Sequence, residues 1–186
     1  MNLRLYHLET HSRANGPGLR AVVWVQGCTL NCPGCFNPET HPIEGGTEWQ
    51  IDALANALMD VPDIEGITIS GGEPLLQIEA LTGLLKEIHR QADLSIIVFT
   101  GFEWAEIETL PRSKALLGQV DVIISGRYVA KQRQARGLIG SANQEIHCLT
   151  DRYTLQDFEN IPEAEIILMP DGEIHLTGIK PPEWQP

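Results

Sequence analysis

Four short aliphatic runs, each ending on glycine, constrain the fold of this chain more than any other feature. Residues 20–26 (R-A-V-V-W-V-Q) stop at Gly27, residues 67–70 at Gly71-Gly72, residues 95–99 at Thr100-Gly101, and residues 120–124 at Ser125-Gly126. Between them the apolar period changes from strand to helix. Ile51, Leu54, Ala55, Leu58 and Met59 form one face of a helix predicted over 48–61, and Ile78, Leu81, Leu84, Leu85 and Ile88 one face of another over 75–90. A shorter helix over 103–110 stops at Pro111. Strand, glycine turn, helix and strand again is the pattern of βαβ units, which predicts an α/β fold with a largely parallel sheet. The segments 27–35, 71–74, 100–101 and 125–126 all follow strands, so they gather at the carboxyl edge of the sheet, where α/β folds carry their sites.

The pattern changes near residue 150. Residues 151–186 hold eight acidic and two basic side chains, and aliphatic runs at 166–169 and 173–177 flank Pro170-Asp171-Gly172. That predicts a β-hairpin, read as an antiparallel appendage on a parallel core. The domain division is therefore a core over 1–150 and an acidic C-terminal extension over 151–186. Lys and Arg number 13 against 25 Asp and Glu, a net charge of -12. This argues against general nucleic-acid binding, whose affinity comes from neutralising phosphates. No run approaches the roughly 18 apolar residues of a membrane span, and no signal-like stretch opens the chain, so the expected location is cytoplasmic.

Three of the four cysteines, Cys28, Cys32 and Cys35, fall in one loop directly after the first aliphatic run, with Cys148 far away. In a reducing compartment such a cluster points to metal or redox chemistry rather than a disulfide framework. Three thiolates suit an iron–sulfur cluster or zinc. A structural zinc site wants a fourth protein ligand, which His41 could supply. A four-iron cluster would leave one iron open. Cys148 is expected to be a small buried side chain. Apart from that possibility for His41, no spacing assigns a ligand role to His7, His11, His41, His89, His147 or His175.

The stretch V-Q-G-C-T-L-N-C-P-G-C-F-N (residues 25–37) resembles the cluster loop of radical S-adenosylmethionine (SAM) enzymes. In detail it is similar to the activating enzymes of glycyl radical proteins, above all those of anaerobic ribonucleotide reductase. Further blocks resemble the same group in the same order. These are Asn15-Gly16-Pro17-Gly18 with Arg20, Ser70-Gly71-Gly72-Glu73-Pro74-Leu75, Thr100-Gly101, residues 120–122 leading to Gly126, and Gly140-Ser141-Ala142-Asn143-Gln144 with His147. Together they cover residues 15–149. Gly34 before the third cysteine, where most radical SAM enzymes have an aromatic residue, resembles the ribonucleotide reductase branch. The Pro-Glu-Thr after Asn37 resembles pyruvate formate-lyase activases.

The resemblance implies a partial (open) βα barrel, in keeping with 186 residues against the roughly 250 of a complete barrel. It implies a 4Fe-4S cluster held by Cys28, Cys32 and Cys35, with the fourth iron open to SAM. Gly34, Phe36, Asn37, Gly71, Gly72, Glu73 and Thr100 are then cofactor-binding residues: Gly34 and Phe36 beside the adenine, Gly72 for close backbone approach, Glu73 for the SAM ammonium. No catalytic side chain is implied beyond the cluster and SAM. Reductive cleavage of SAM would generate a radical that takes a hydrogen atom from a glycine of a partner enzyme, with flavodoxin or ferredoxin as electron donor. Ser125 and Ile139 depart from the common activase residues, acidic and arginine respectively. They keep open a relative of the same fold acting on another protein, a peptide or a small molecule. A non-catalytic iron–sulfur or zinc module is a third reading. Arg127, Lys131, Arg133 and Arg136 stand in a stretch without acids from 122 to 144, read either as a solvated face or as a docking surface.

Overall fold

The computed structural model describes residues 1–169 and 171–179. In chain order the elements are β1 (Asn2–Ser12), β2 (Arg20–Val25), β3 (Thr47–Gln50), α1 (Ile51–Met59), β4 (Gly66–Gly71), α2 (Ile78–Gln91), β5 (Ser95–Phe99), α3 (Trp104–Thr109), α4 (Ser113–Leu117), β6 (Val122–Ser125), β7 (Arg133–Arg136), β8 (Ile139–Ser141), β9 (Glu145–Cys148), β10 (Glu165–Leu168) and β11 (Ile174–Thr177). A mixed seven-stranded sheet runs β3-β1-β2-β4-β5-β6-β9. Its centre is the expected one: β2, β4, β5 and β6 pair in parallel.

The edges depart from the parallel pattern. β1 runs antiparallel to both β2 and β3, and β9 antiparallel to β6. The pairing of β1 with β3 also corrects the predicted helix over 48–61. Glu48 and Trp49 pair with Arg4 and Leu3, so the helix starts at Ile51, after an extended Gln50. The helix predicted from Leu75 likewise starts at Ile78, because Pro74–Gln77 forms a 3-10 turn with Glu73 as its N-cap.

Side-chain alternation along the parallel strands divides the molecule. Val23, Val25, Ile67, Ile69, Ile96, Val98 and Ile123 point to one face, where they meet Leu54, Leu58, Leu81, Leu84, Leu85 and Ile88 of the helices. The opposite face holds a smaller cluster, with Ile97, Val122, Ile124, Leu138, Tyr153 and Phe158. Also on that face is a fully buried Arg20, which donates to Thr68 Oγ1 at 2.8 Å, Ser95 Oγ at 2.9 Å, the Ile67 carbonyl at 2.9 Å and Tyr153 OH at 3.2 Å. Tyr153 OH in turn donates to Glu65, so the cation is balanced through a phenol.

The hairpin forms as expected, with Ile166 opposite Leu176 and Leu168 opposite Ile174. Gly172 takes φ +91 in its turn, while Pro170, Pro181, Pro182 and Pro186 lie outside the described residues. Side-chain hydrogen bonds dock it beside the end of β1. Glu165 Oε2 accepts from Ser12 Oγ and the Arg13 N–H, each at 2.8 Å, and Asn15 Nδ2 donates to Thr177 Oγ1 at 2.8 Å.

Candidate functional site

The cysteine loop begins where β2 ends. The Gly27 N–H donates to the Thr40 carbonyl at 2.7 Å and the Cys28 N–H to the His41 carbonyl at 3.1 Å, which closes residues 28–40 into a compact loop. Inside it, the Cys35 N–H donates to the Cys32 carbonyl at 3.1 Å, and Thr40 Oγ1 donates to the Asn37 carbonyl at 2.7 Å. Asn31 at φ +48 and Gly34 at φ +76 supply the left-handed turns. All three thiols are free and half-buried. Burial pushes Cys28 and Cys35 up from the ordinary thiol range. The N–H groups of Leu30 and Asn31 pull Cys28 back, and that of Asn37 does so for Cys35.

The turn after β4 is locked against this loop by backbone. The Gly72 N–H donates to the Val25 carbonyl and the Glu73 N–H to the Gly27 carbonyl, both at 2.8 Å. A Cβ on Gly72 would stand 2.3 Å from the Gly27 oxygen, so the two chains approach as only glycine permits. Glu73 is buried and joins three segments. Its Oε1 accepts from the Leu75 N–H at 2.9 Å and Thr100 Oγ1 at 2.7 Å, and its Oε2 accepts from the Gly101 N–H at 2.8 Å. Burial raises its pKa above the usual carboxylate value, against the pull of those donors. The expected close approach of Gly72 and the carboxylate of Glu73 are thus both engaged in holding the ends of β2, β4 and β5 in register.

One cavity of about 650 Å³ opens along this edge. Cys28, Cys32, Cys35, Phe36, Asn37, Gly71, Gly72, Glu73 and Thr100 all line it, as does His41. Gly34 does not; it faces Ala130, whose Cβ would lie 3.3 Å from an added Cβ. Phe36 packs on Tyr128 with ring centroids 4.5 Å apart, and the Arg133 guanidinium stands over the Phe36 ring at 4.7 Å.

The block Gly140–Gln144 clamps the loop that follows β6. Gln144 accepts from the Gly140 N–H at 2.9 Å and donates to the Gly126 carbonyl at 2.9 Å, while Asn143 donates to the Arg127 carbonyl at 2.8 Å. His147 is hydrogen-bonded to Ser125 at 2.9 Å and stacked on Trp104. Of the basic stretch, Arg127 forms a bidentate pair with Glu106 at 2.6 and 2.9 Å, and Lys131, Arg133 and Arg136 are exposed. Cys148 corrects an expectation: it is exposed on β9 opposite Val122, at the far end of β6 from the cavity.

The donor set fits an iron–sulfur cluster. Three soft thiolates, several backbone N–H groups beside the sulfurs and an adjoining cavity match the needs of a four-iron centre with one open iron. Among the described residues, no three of Cys28, Cys32, Cys35 and His41 bring ligand atoms within 4.8 Å of one another, as ligands of one zinc ion would. The cavity volume is in the range of small-molecule sites. Its wall also includes Asn15 and residues that no sequence signal placed there: Tyr6, His7, Glu9, Trp24 and, from the hairpin, His175 and Thr177.

The family described as "4Fe-4S single cluster domain" matches residues 14–147. The anaerobic ribonucleoside-triphosphate reductase-activating protein of Haemophilus influenzae is 33% identical over 142 residues, covering 72% of this chain and 90% of the relative. Its counterpart in Vibrio cholerae is 32% identical over 145 residues, 73% of this chain and 92% of the relative. The pyruvate formate-lyase-activating enzyme of Clostridium pasteurianum is 36% identical over 112 residues, 58% of this chain but 47% of the relative.

Proposed function

This chain belongs to the 4Fe-4S single cluster domain family, among the radical SAM enzymes that activate glycyl radical proteins, and we propose that its partner is an anaerobic ribonucleotide reductase or a similar glycyl radical enzyme. The observation that carries the reading is the convergence of Cys28, Cys32, Cys35 and the Glu73-pinned turn on one cavity. When bound, the reduced 4Fe-4S cluster and SAM supply a 5′-deoxyadenosyl radical able to take a hydrogen atom from a glycine α-carbon.

The protein's own part is placement and exclusion of water. Cys28, Cys32 and Cys35 hold the cluster from a loop that is hydrogen-bonded at both ends. The Gly71–Gly72–Glu73 turn would offer main-chain carbonyls to the SAM amino group. The Glu73 carboxylate fixes that turn through Leu75, Thr100 and Gly101. Phe36 and Asn37 stand in the wall for the nucleoside, and Gly34 lets the loop settle against Ala130 behind it.

We read the sheet as an open, partial barrel. The helices pack on one face and the cavity lies on the other, which is the arrangement a partner's loop would need for access. Residues 1–150 form the catalytic core in this reading and 151–186 an appendage, of which residues 175–179 complete the cavity wall. A flavodoxin or ferredoxin is the proposed electron donor and the cytoplasm the proposed location. Among the described residues, no helix is long and apolar enough to cross a membrane.

The test is anaerobic reconstitution, with iron and sulfide counted and SAM cleavage assayed, followed by mixing with the candidate reductase. Four irons per chain, deoxyadenosine release and a glycyl radical in the paramagnetic resonance spectrum are expected. Alanine at Cys28, Cys32 or Cys35 should abolish iron retention, and alanine at Cys148 should not. Deoxyadenosine without a protein radical would overturn the assigned partner and favour a different hydrogen donor. Failure of cluster-loaded protein to cleave SAM would overturn the enzyme.

A further inference from the structure

The cavity that receives the cysteine loop is also bounded by a second set of metal-donor side chains, which the reaction above does not use. His7, Glu9 and His175 each offer one ligand atom, and these three atoms all lie within 4.8 Å of one another. His175 Nδ1 is 2.9 Å from Glu9 Oε2, and His7 Nε2 is 4.0 Å from the same oxygen. Nitrogen and oxygen ligands at about 2.0–2.1 Å from a tetrahedral ion stand roughly 3.3 Å apart, so the observed separations straddle that value.

The convergence is built by the backbone. Leu3 and Leu5 of β1 point into the helix-covered core, and strict alternation would send His7 and Glu9 after them. The register instead shifts between Leu5 and His7: Leu5 pairs with Val25 and His7 with Trp24. That bulge returns Leu8 to the core and turns His7 and Glu9 together onto the cavity face. The hairpin then brings His175 alongside, its ring edge-on to His7 at 5.2 Å.

The carboxylate is held in a ligand's orientation. Glu9 is 4% exposed, and its Oε1 accepts the N–H of Thr10 at 2.9 Å and that of His11 at 3.4 Å. That leaves Oε2 aimed at the two imidazoles. Behind His175, Glu173 Oε2 stands 3.7 Å from the other ring nitrogen, where carboxylates commonly orient metal-bound histidines.

We infer that His7, Glu9 and His175 form a site for a single divalent transition ion of the zinc class, with its fourth position open to the cavity. Two imidazoles and one carboxylate make a nitrogen–oxygen set suited to such an ion, distinct from the three soft thiolates of the cysteine loop. Bound there, the ion cross-links β1 to the C-terminal hairpin and fixes that wall of the cavity. The open position takes water or an oxygen donor from whatever segment enters.

The experiment uses cluster-loaded protein, so that the cysteines are already occupied. It is incubated with zinc, desalted anaerobically, and its zinc and iron are counted and its zinc absorption edge recorded. About one zinc per chain is expected, with a first shell of nitrogen and oxygen at about 2.0–2.1 Å and no sulfur at about 2.3 Å. His7→Ala and His175→Ala should each weaken zinc binding at least tenfold while iron content stays at the wild-type level. If His175→Ala loosens the hairpin and loses iron, His7→Ala decides, because that side chain is 41% exposed and tolerates truncation. No retained zinc, sulfur in the zinc shell, or unchanged affinity in His7→Ala would overturn the site.

Discussion

Replacing Gly72 with alanine tests the central geometric claim, that the cysteine loop and the turn after β4 are held by backbone contact alone. The new methyl group would lie 2.3 Å from the Gly27 oxygen, 2.8 Å from its carbonyl carbon and 3.1 Å from its nitrogen. Every one of these is a main-chain atom, so no side chain can rotate away. Reaching ordinary contact near 3.4 Å requires the two segments to part by about 1 Å. Two hydrogen bonds bracket the contact, Gly72 N–H to the Val25 carbonyl and Glu73 N–H to the Gly27 carbonyl, and both would stretch. At about 0.5–1.5 kcal/mol each, with about 1–3 kcal/mol for overpacking, the expected loss is about 2–6 kcal/mol. Denaturant unfolding of the cluster-free, reduced protein reads that loss. SAM binding to the cluster-loaded protein should weaken more than tenfold. Gly118→Ala is the matched control: its φ is -70 and its nearest new contact is 3.5 Å, so it should leave both readouts unchanged within about 0.5 kcal/mol. A Gly72→Ala protein with wild-type stability and SAM affinity would refute the reasoning.

Four further substitutions separate the roles of buried and exposed groups. Arg20→Met leaves Thr68, Ser95 and two carbonyls without their buried donor and should cost about 3–5 kcal/mol in unfolding free energy, whereas Tyr153→Phe should cost about 1–2 kcal/mol. A double-mutant cycle that finds no coupling between them would contradict the network. Phe36→Ala removes the packing on Tyr128 and under Arg133, and should shorten the half-life of the cluster against an iron chelator without reducing the iron initially loaded. Arg127 holds the Glu106 carboxyl at about 2, below its ordinary 4.5. A depressed acid stabilises the fold above its unfolded pKa and loses that contribution as pH falls through the folded value. Wild type should therefore exceed Arg127→Ala by about 0.5–1 kcal/mol at neutral pH, a difference that fades between pH 4.5 and 2 and shrinks in salt, since both side chains are more than a third exposed. Chemical denaturation at several pH values checks it.

Parts of the site were legible because their signals are local. A cysteine spacing needs no partner to be read, and a strand that ends on glycine announces a turn wherever the strand lies. The 3.6 period of residues 78–88 survives in α2. Signals that depend on distant pairing were not legible. Residues 48–50 adjoin the helical period that begins at Ile51 but pair with β1, and a ladder of main-chain hydrogen bonds outweighs weak helix propensity at a helix start. Cys148 has the composition of a buried residue, yet β9 is an edge strand and leaves it exposed. Glu73 stands in sequence only as part of a glycine-rich block resembling a SAM-binding turn. Its reach to Thr100 and Gly101 exists only because β4 and β5 lie side by side.

The sequence by itself determined the parallel centre of the sheet, the thiolate loop at its carboxyl edge and the chemistry that such a loop can hold. Periodicity, turn residues and ligand spacing are properties of a few neighbouring residues, so they are written where they act. Only the tertiary structure decided what surrounds that loop. A one-residue bulge in β1 turned His7 and Glu9 into the cavity, and a hairpin more than 150 residues away supplied His175. Neither event leaves a mark in local sequence. Register and docking are fixed by the summed burial of both faces of a sheet, and that sum exists only once the chain has folded.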